Sequence, residues 1–372
     1  ADACDSARLE LPELAAETQA ALRGFVPVEA SVTNPVDLLG SATADAYEAA
    51  LPALLADPGI DAVIVLFVPP IVATAVDVAT AIARGSAGAD KPVLPVLMSS
   101  EATSVGGYAY PESAARALGL ASRRAAWLRR PAGAVPVLDR LDRSSARKVI
   151  EAALAKADDR WLDPEETRAL LRAYGLPLVE ERYAVSPDDA AAAAHELGYP
   201  VVVKTAAPGA HKTETGGVHV DLRDEVSVRK AAKQIGGPVI VQTYVQGGVE
   251  LLAGVVQDPR FGPLVAFGPG GVLAELIGSA RLALAPLSDV DAEELVTSGK
   301  AGRLVAGWRG AAPADKAALI DLVHRLAQLA EDHPELVELD LNPVIASESG
   351  CVAVDARVRV RKASGRQQPK TW

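Results

Sequence analysis

Sulfur is scarce in this chain: its 372 residues include two cysteines and one methionine. Cys4 and Cys351 supply neither a disulfide framework nor metal-ligand spacing, so a reducing cytoplasm is the natural compartment. Long hydrophobic runs are missing as well. No apolar stretch reaches the ~20 residues needed to cross a bilayer, and the longest, Ala62 to Ala73, contains Pro69 and Pro70. No signal-peptide pattern is visible, so no membrane role is expected. Positive charge is in deficit. The net charge is -11 and no Lys/Arg block interleaves with aromatics. That argues against nucleic acid as a partner, because neutralising a phosphate backbone takes clustered cations. A mononucleotide needs only a local cationic pocket and is not excluded.

What remains is ordinary globular composition, 49% hydrophobic and 23% charged, in a chain long enough for two or three domains of roughly 100–200 residues. The chain opens on Ala1, and its one methionine is Met98. This raises the expectation that it is a section of a longer polypeptide.

The first part alternates helix and strand. Helical spacing runs over Leu11 to Arg23, Ala44 to Leu55, Ile71 to Arg84 and Glu112 to Arg129, with apolar strand-length runs at Ala62 to Val68 and Pro92 to Met98. Buried β-branched runs between helices imply a doubly wound parallel sheet. Ser144 to Asp159 reads as a connecting helix. Asp163-Pro164-Glu165-Glu166 then opens a helix with a cap, a first-turn proline and acids at the positive dipole end. The remainder reads as α+β, including strands Pro200 to Thr205, Val218 to Leu222, Val239 to Val245, Val249 to Gln257, Val272 to Ile277, Val337 to Ala346 and Cys351 to Val358.

Two constellations carry chemistry. Lys204 ends the apolar strand YPVVVK, and Gly216-Gly217 follows after a polar loop. A strand-end ammonium and glycines that admit close backbone approach suit phosphate. Near the end, strand alternation places Glu338, Asp340 and Asn342 on one face, opposite Leu339 and Leu341. Asp355 ends an apolar run on the next strand. Carboxylates and an amide oxygen on adjacent strands make a hard site of the kind Mg²⁺ prefers beside nucleotide phosphates. Arg281 is expected either to meet phosphate or to pair with an acid.

The segments GYPVVVK, GAHKTETGGV, VQTYVQGGVELLAGVVQDPRFGPLVAFGPGGVLAELI and ELDLNP…VAVDARV, in that order, resemble the ATP-grasp domain of NDP-forming acyl-CoA synthetases. These are relatives of succinyl-CoA synthetase and of ADP-forming acetate–CoA ligase. NPVDLLG (Asn34 to Gly40) and VIVLFVPP look like the flavodoxin-like CoA-ligase domain of the same family. The implied organisation is a partial flavodoxin-like domain over 1–143, a connecting helix over 144–160, an α+β ATP-grasp domain over 161–361 and a polar tail over 362–372. The resemblance further implies that Lys204 contacts nucleotide phosphates and that Gly216 and Gly217 lie in a phosphate-covering loop. Gln242, Thr243, Tyr244 and Val245 form an adenine-reading hinge, and Glu250 falls at the ribose. Asn342 and Asp355 hold Mg²⁺, and Asp340 faces a phosphohistidine. His211 matches the histidine that relays phosphate within the ATP-grasp part; a partly neutral imidazole forms a labile phosphoramidate. His219 is expected to be structural.

ATP or ADP with Mg²⁺ is thus the expected cofactor set, with CoA, phosphate and a carboxylate, acetate foremost, as substrates of the complete enzyme. A Rossmann-type CoA-binding domain and a second, upstream phosphohistidine of the family are expected in the parent chain, and a homo-oligomer is expected. Two other readings stand beside this one: a nucleotide-sensing module of a larger protein, such as a fused acetyltransferase, and an ATP-grasp carboxylate–amine ligase or biotin-carboxylase-like protein.

Overall fold

The computed structural model describes residues 1–69, 74–98, 106–206, 217–271 and 280–362. They form two compact units, one running to Arg130 and the other beginning at Pro131. In the first unit, β1 (Val63–Phe67) and β2 (Val93–Leu97) pair in parallel, Val63 opposite Val93 and Phe67 opposite Leu97. Val65, Phe67 and Leu97 pack with Leu51, Val78 and Ile82 from helices Ala44–Ala56 and Ala75–Gly85. Parallel strands joined by helical crossovers make the α/β architecture read from the apolar runs. The helix expected from Ile71 begins at Ala75, where the Thr74 hydroxyl accepts from the Asp77 amide.

The second unit contains two antiparallel sheets. The helix expected over Ser144 to Asp159 is Arg143–Lys156, and it stops short because residues 159–161 are a strand, β3 (Asp159–Trp161). Helix Pro164–Ala173 starts on a full capping box, with Asp163 accepting from the Glu166 amide and the Glu166 carboxylate accepting in return. The smaller sheet has the order β4–β7–β5–β6, from β4 (Glu181–Ala184), β5 (Val201–Thr205), β6 (Val218–Leu222) and β7 (Val239–Thr243). Helices Pro187–Leu197 and Glu225–Ile235 cover one face, burying Ala184, Val201, Val203, Val239 and Val241. Strand alternation therefore turns Glu181, Lys204, Ile240 and Gln242 to the opposite face.

The larger sheet is built from β8 (Val249–Asp258), β9 (Gly262–Pro269), β10 (Arg281–Leu284), β11 (Leu336–Ser347), β12 (Gly350–Ala353) and β13 (Ala356–Arg361) together with β3. Its order is β10–β9–β8–β11–β13–β3, with β12 also pairing β11. Five helices among the described residues bury one face of it, among them Lys316–Asp332 and two that sequence patterning missed, Asp289–Thr297 and Gly299–Val305. A capping box between Ser288 and Asp291 was the available signal for the first of these. The strand expected over Cys351 to Val358 is in fact two, broken at Val354–Asp355. β12 continues the hairpin with the end of β11, while β13 pairs with its start, and the β11 ladder shifts register between Leu341 and Val344. The expected strand Val272 to Ile277 lies outside the described residues. No helix among the described residues is long and apolar enough to cross a membrane.

Candidate functional site

The break at Val354–Asp355 decides the geometry of the site. Between two strands, the Val354 carbonyl is released from the ladder and meets the open face of the smaller sheet. Lys204 Nζ donates to it at 3.0 Å and to Asp355 Oδ1 at 3.2 Å. Gln242 Nε2 donates to the same carbonyl at 2.8 Å and to Glu181 Oε2 at 3.4 Å. Glu181 in turn pairs with Arg168 at 2.6 Å and lies 3.8 Å from the Lys204 ammonium. Lys204 and Gln242 are buried at 6% and 3% exposure. A buried ammonium is costly unless paired and hydrogen-bonded, and Glu181, Asp355 and Val354 meet that need here.

These groups line a cavity of about 260 Å³ between the two sheets, with Trp161, Leu162, Leu178, Ile240 and Ala353 as apolar wall. The expected residues Lys204, Gln242 and Asp355 are thus brought together. Asn342 and Asp355 are backbone neighbours, the Asn342 amide donating to the Asp355 carbonyl at 3.3 Å. Asn342 Oδ1 accepts from the Gly271 amide at 3.1 Å. Gly271 has φ +62°, and a Cβ there would collide with the Glu250 carboxylate. A close approach in left-handed backbone requires glycine. Glu250 itself is exposed on β8, opposite Ile345.

Asp340 shares its face of β11 with Glu338 and Asn342, while Leu339 and Leu341 are buried on the other. Burial pushes its carboxyl up to about 6; Arg357, directly across the ladder, pulls the other way, and Asp355 and Glu338 add to the rise. At the hinge, the Thr243 amide donates to the Glu180 carbonyl at 3.0 Å and the Tyr244 amide to the Pro200 carbonyl at 3.1 Å. Thr243, Tyr244 and Val245 are half-buried. The Gly217 carbonyl accepts from the Thr205 amide at 2.9 Å, which ties the far end of the expected phosphate loop back to the Lys204 strand. His211 and Gly216 lie outside the described residues. Arg281 takes the second of its expected options and pairs with Glu294 at 3.2 Å.

Sequence reasoning missed Glu181, Arg168, Trp161 and the Val354 carbonyl. Glu181 reaches the site through the β4–β7 register, in which it lies opposite Gln242, a pairing the sequence does not specify. The donor set suits a divalent cation that shares nucleotide phosphates: Mg²⁺ takes one or two carboxylates and completes its shell with phosphate and water. Among the described residues, no group of three or more His, Cys, Asp or Glu side chains forms a cage of its own.

Comparison with known proteins identifies the family. The ATP-grasp domain model matches residues 153–360, and the Ligase-CoA domain model matches residues 1–116. Acetate–CoA ligase [ADP-forming] I of Archaeoglobus fulgidus is 32% identical over 96% of this chain and 54% of its own length. The chain therefore spans about half of that relative. The β subunit of acetate–CoA ligase [ADP-forming] I of Pyrococcus furiosus is 35% identical over 58% of this chain and 97% of its own length. Among solved structures, a chain of the dinucleotide-forming acetyl-coenzyme A synthetase 1 of Ca. Korarchaeum cryptofilum superposes with a TM-score of 0.53 at 38% identity. It covers 58% of this chain and 100% of its own, in a complex with coenzyme A and Mg-AMPPCP whose phosphohistidine segment points towards the nucleotide-binding site. Matched over more than half its length, and with a Ligase-CoA domain ahead of that match, the chain belongs to the ATP-grasp family, in the branch homologous to ADP-forming acetate–CoA ligases.

Proposed function

We propose that this chain is the nucleotide-binding and phosphoryl-transfer part of an ADP-forming acyl-CoA ligase. The complete reaction is acyl-CoA + ADP + phosphate ⇌ carboxylate + CoA + ATP, with acetate as the first candidate carboxylate. The observation that carries the reading is the meeting of Lys204, Gln242 and Asp355 at one break in a strand, 150 positions along the chain from Lys204 in the case of Val354. Lys204 supplies the phosphate-binding cation, the hinge from Gln242 to Val245 holds the base, and Glu250 takes the ribose side. Asn342 and Asp355 would hold Mg²⁺, whose charge neutralises the phosphates.

In the transfer step, a neutral imidazole nitrogen of His211 attacks the γ-phosphorus and the bond to the β–γ bridging oxygen breaks. ADP leaves and phosphohistidine forms. Gly216 and Gly217 allow backbone N–H groups close to the phosphates. Asp340, whose carboxyl titrates near 6, would face the phosphorylated ring and take up or release its proton near neutral pH. CoA, phosphate and the carboxylate would be handled with the Ligase-CoA domain and with a further CoA-binding domain of the parent protein, assembled as a homo-oligomer in the cytoplasm.

The test is incubation with γ-labelled Mg·ATP and search for an acid-labile, base-stable label. Label should vanish in His211→Ala and persist in His219→Ala. Label that survives in His211→Ala refutes the assignment of the relay residue.

A further inference from the structure

We infer that Arg168 is a positioning residue for the nucleotide site: by holding the Glu181 carboxylate, it keeps that group from capturing Lys204 and leaves the ammonium for phosphate. This rests on the nucleotide-binding reading above and adds to it a residue that no motif in the sequence marked. Two carboxylates stand beside the buried ammonium. Asp355 Oδ1 accepts from it at 3.2 Å, whereas Glu181 Oε2 lies at 3.8 Å, within ion-pair distance and beyond a hydrogen bond. The difference has a visible cause. Arg168 holds the other oxygen, Glu181 Oε1, with Nη2 at 2.6 Å and Nε at 3.2 Å. The same guanidinium donates to the Val179 carbonyl at 3.3 and 3.4 Å. Arg168 sits on the helix Pro164–Ala173, whose start is fixed by the Asp163–Glu166 capping box, and Glu181 is the first residue of β4. One side chain thus ties the start of that strand to a helix with a fixed origin.

A carboxylate that hydrogen-bonds Lys204 competes with a phosphate oxygen for the same N–H donors. Asp355 leaves that contest when a divalent cation takes it, as the reading above has it do. The same reading gives Glu181 no metal to move to. A shift of about 1 Å would bring Glu181 Oε2 to charge-assisted hydrogen-bond length from Lys204 Nζ. Phosphate would then have to break that bond and leave the carboxylate without a replacement. Solvent does little to soften the competition, because the side chains of Lys204, Glu181 and Arg168 are only 7%, 16% and 17% exposed, and charges interact most strongly where water is excluded. Guanidinium suits the holding role: it stays charged and presents its N–H groups as a rigid fork. Gln242 Nε2, 3.4 Å from Glu181 Oε2, steadies the oxygen that Arg168 does not hold.

The experiment is calorimetric titration of the whole chain with ADP and Mg²⁺, in wild type, Arg168→Met, Glu181→Gln and the double variant. Arg168→Met should bind ADP about tenfold or more weakly, as the freed Glu181 turns to Lys204. Glu181→Gln alone should leave affinity close to that of wild type, because Arg168 already occupies the group it alters. The double variant should return to within about twofold of wild type, a coupling that neither single change predicts. Rescue separates this role from a structural one: a loss caused by a loosened helix or an unpaired Val179 carbonyl would persist in the double variant. A summed-charge effect would instead make Glu181→Gln tighten ADP binding as much as Arg168→Met weakens it. Where Met impairs folding, Arg168→Gln, which can still donate to the Val179 carbonyl, takes its place with the same expectation. Unchanged affinity on loss of Arg168, absence of rescue in the double variant, or that tightening in Glu181→Gln each overturns the inference and leaves the nucleotide site standing. Failure of folded wild type to bind ADP would remove the nucleotide reading, and this inference with it.

Discussion

Asp340→Asn should make the second unit more stable at neutral pH while impairing phosphoryl transfer. Asp340 is a carboxyl whose ionised form the fold disfavours: burial, helped by Asp355 and Glu338 and opposed by Arg357, carries it from 3.8 to about 6. The folded state therefore binds more protons than the unfolded state between those values, and stability falls as pH rises from about 4 through about 6. Above pH 7 the full cost is present, about 2–3 kcal/mol at 1.36 kcal/mol per pH unit. Asparagine keeps the shape without the charge and should recover that amount at pH 8, roughly 5–10 °C in the melting temperature of a unit this size. By about pH 5 the advantage should halve, and below the unfolded carboxyl value it should vanish. Thermal denaturation of both proteins across pH 4–8 reads this directly. A variant less stable than wild type at pH 8, or a difference independent of pH, would refute the account of Asp340 as a strained, poised acid.

Three further outcomes are expected. Lys204→Ala should weaken Mg·ADP binding roughly 10- to 100-fold, the loss of a charge-assisted partner worth about 1.5–3 kcal/mol, and unchanged affinity in calorimetry of the folded variant would contradict its phosphate role. Asp355→Asn should release Lys204 from the 3.2 Å contact that now occupies it, so ADP binding in EDTA should tighten several-fold while stimulation by Mg²⁺ disappears; equal metal dependence in variant and wild type argues against Asp355 as a ligand. His333 is buried at 2% exposure, with its ring 3.0 Å from the Tyr174 hydroxyl, and burial, then Arg147, hold it below the ordinary value of 6.5. The unfolded chain then takes up the proton first, so stability should drop as pH falls below about 6.5, by up to about 1.4 kcal/mol per pH unit. His333→Gln should flatten that slope by one proton, and His324, lowered by burial in the same way, should carry a similar share; a slope unchanged in both variants would exclude them as its source.

Local chemistry was written in the sequence. Asp163, Pro164 and the acids behind them announced a helix that begins where the cap sits, because an N-cap is satisfied within a single turn of chain. Strand alternation separated Leu339 and Leu341 from Glu338, Asp340 and Asn342, because the period of two needs no partner strand to be read. The ordered motifs around Lys204, Gln242 and Asp355 named the family and most of the candidate site. What the sequence did not contain was any sign that Val354 would leave its ladder, or that Glu181 and Arg168 would close on Lys204 and Gln242. Those depend on groups 150, 112 and 61 positions apart, as in Lys204 to Val354, Gln242 to Val354 and Gln242 to Glu181, and on a strand break set by how β11 divides its pairing between β12 and β13. The orientation of the Gln242 amide and the raised carboxyl of Asp340 are likewise properties of what surrounds them. Which end of an amide faces a ligand, and which form of a carboxyl survives burial, is decided by acceptors, charges and excluded water that only the assembled sheets bring within reach.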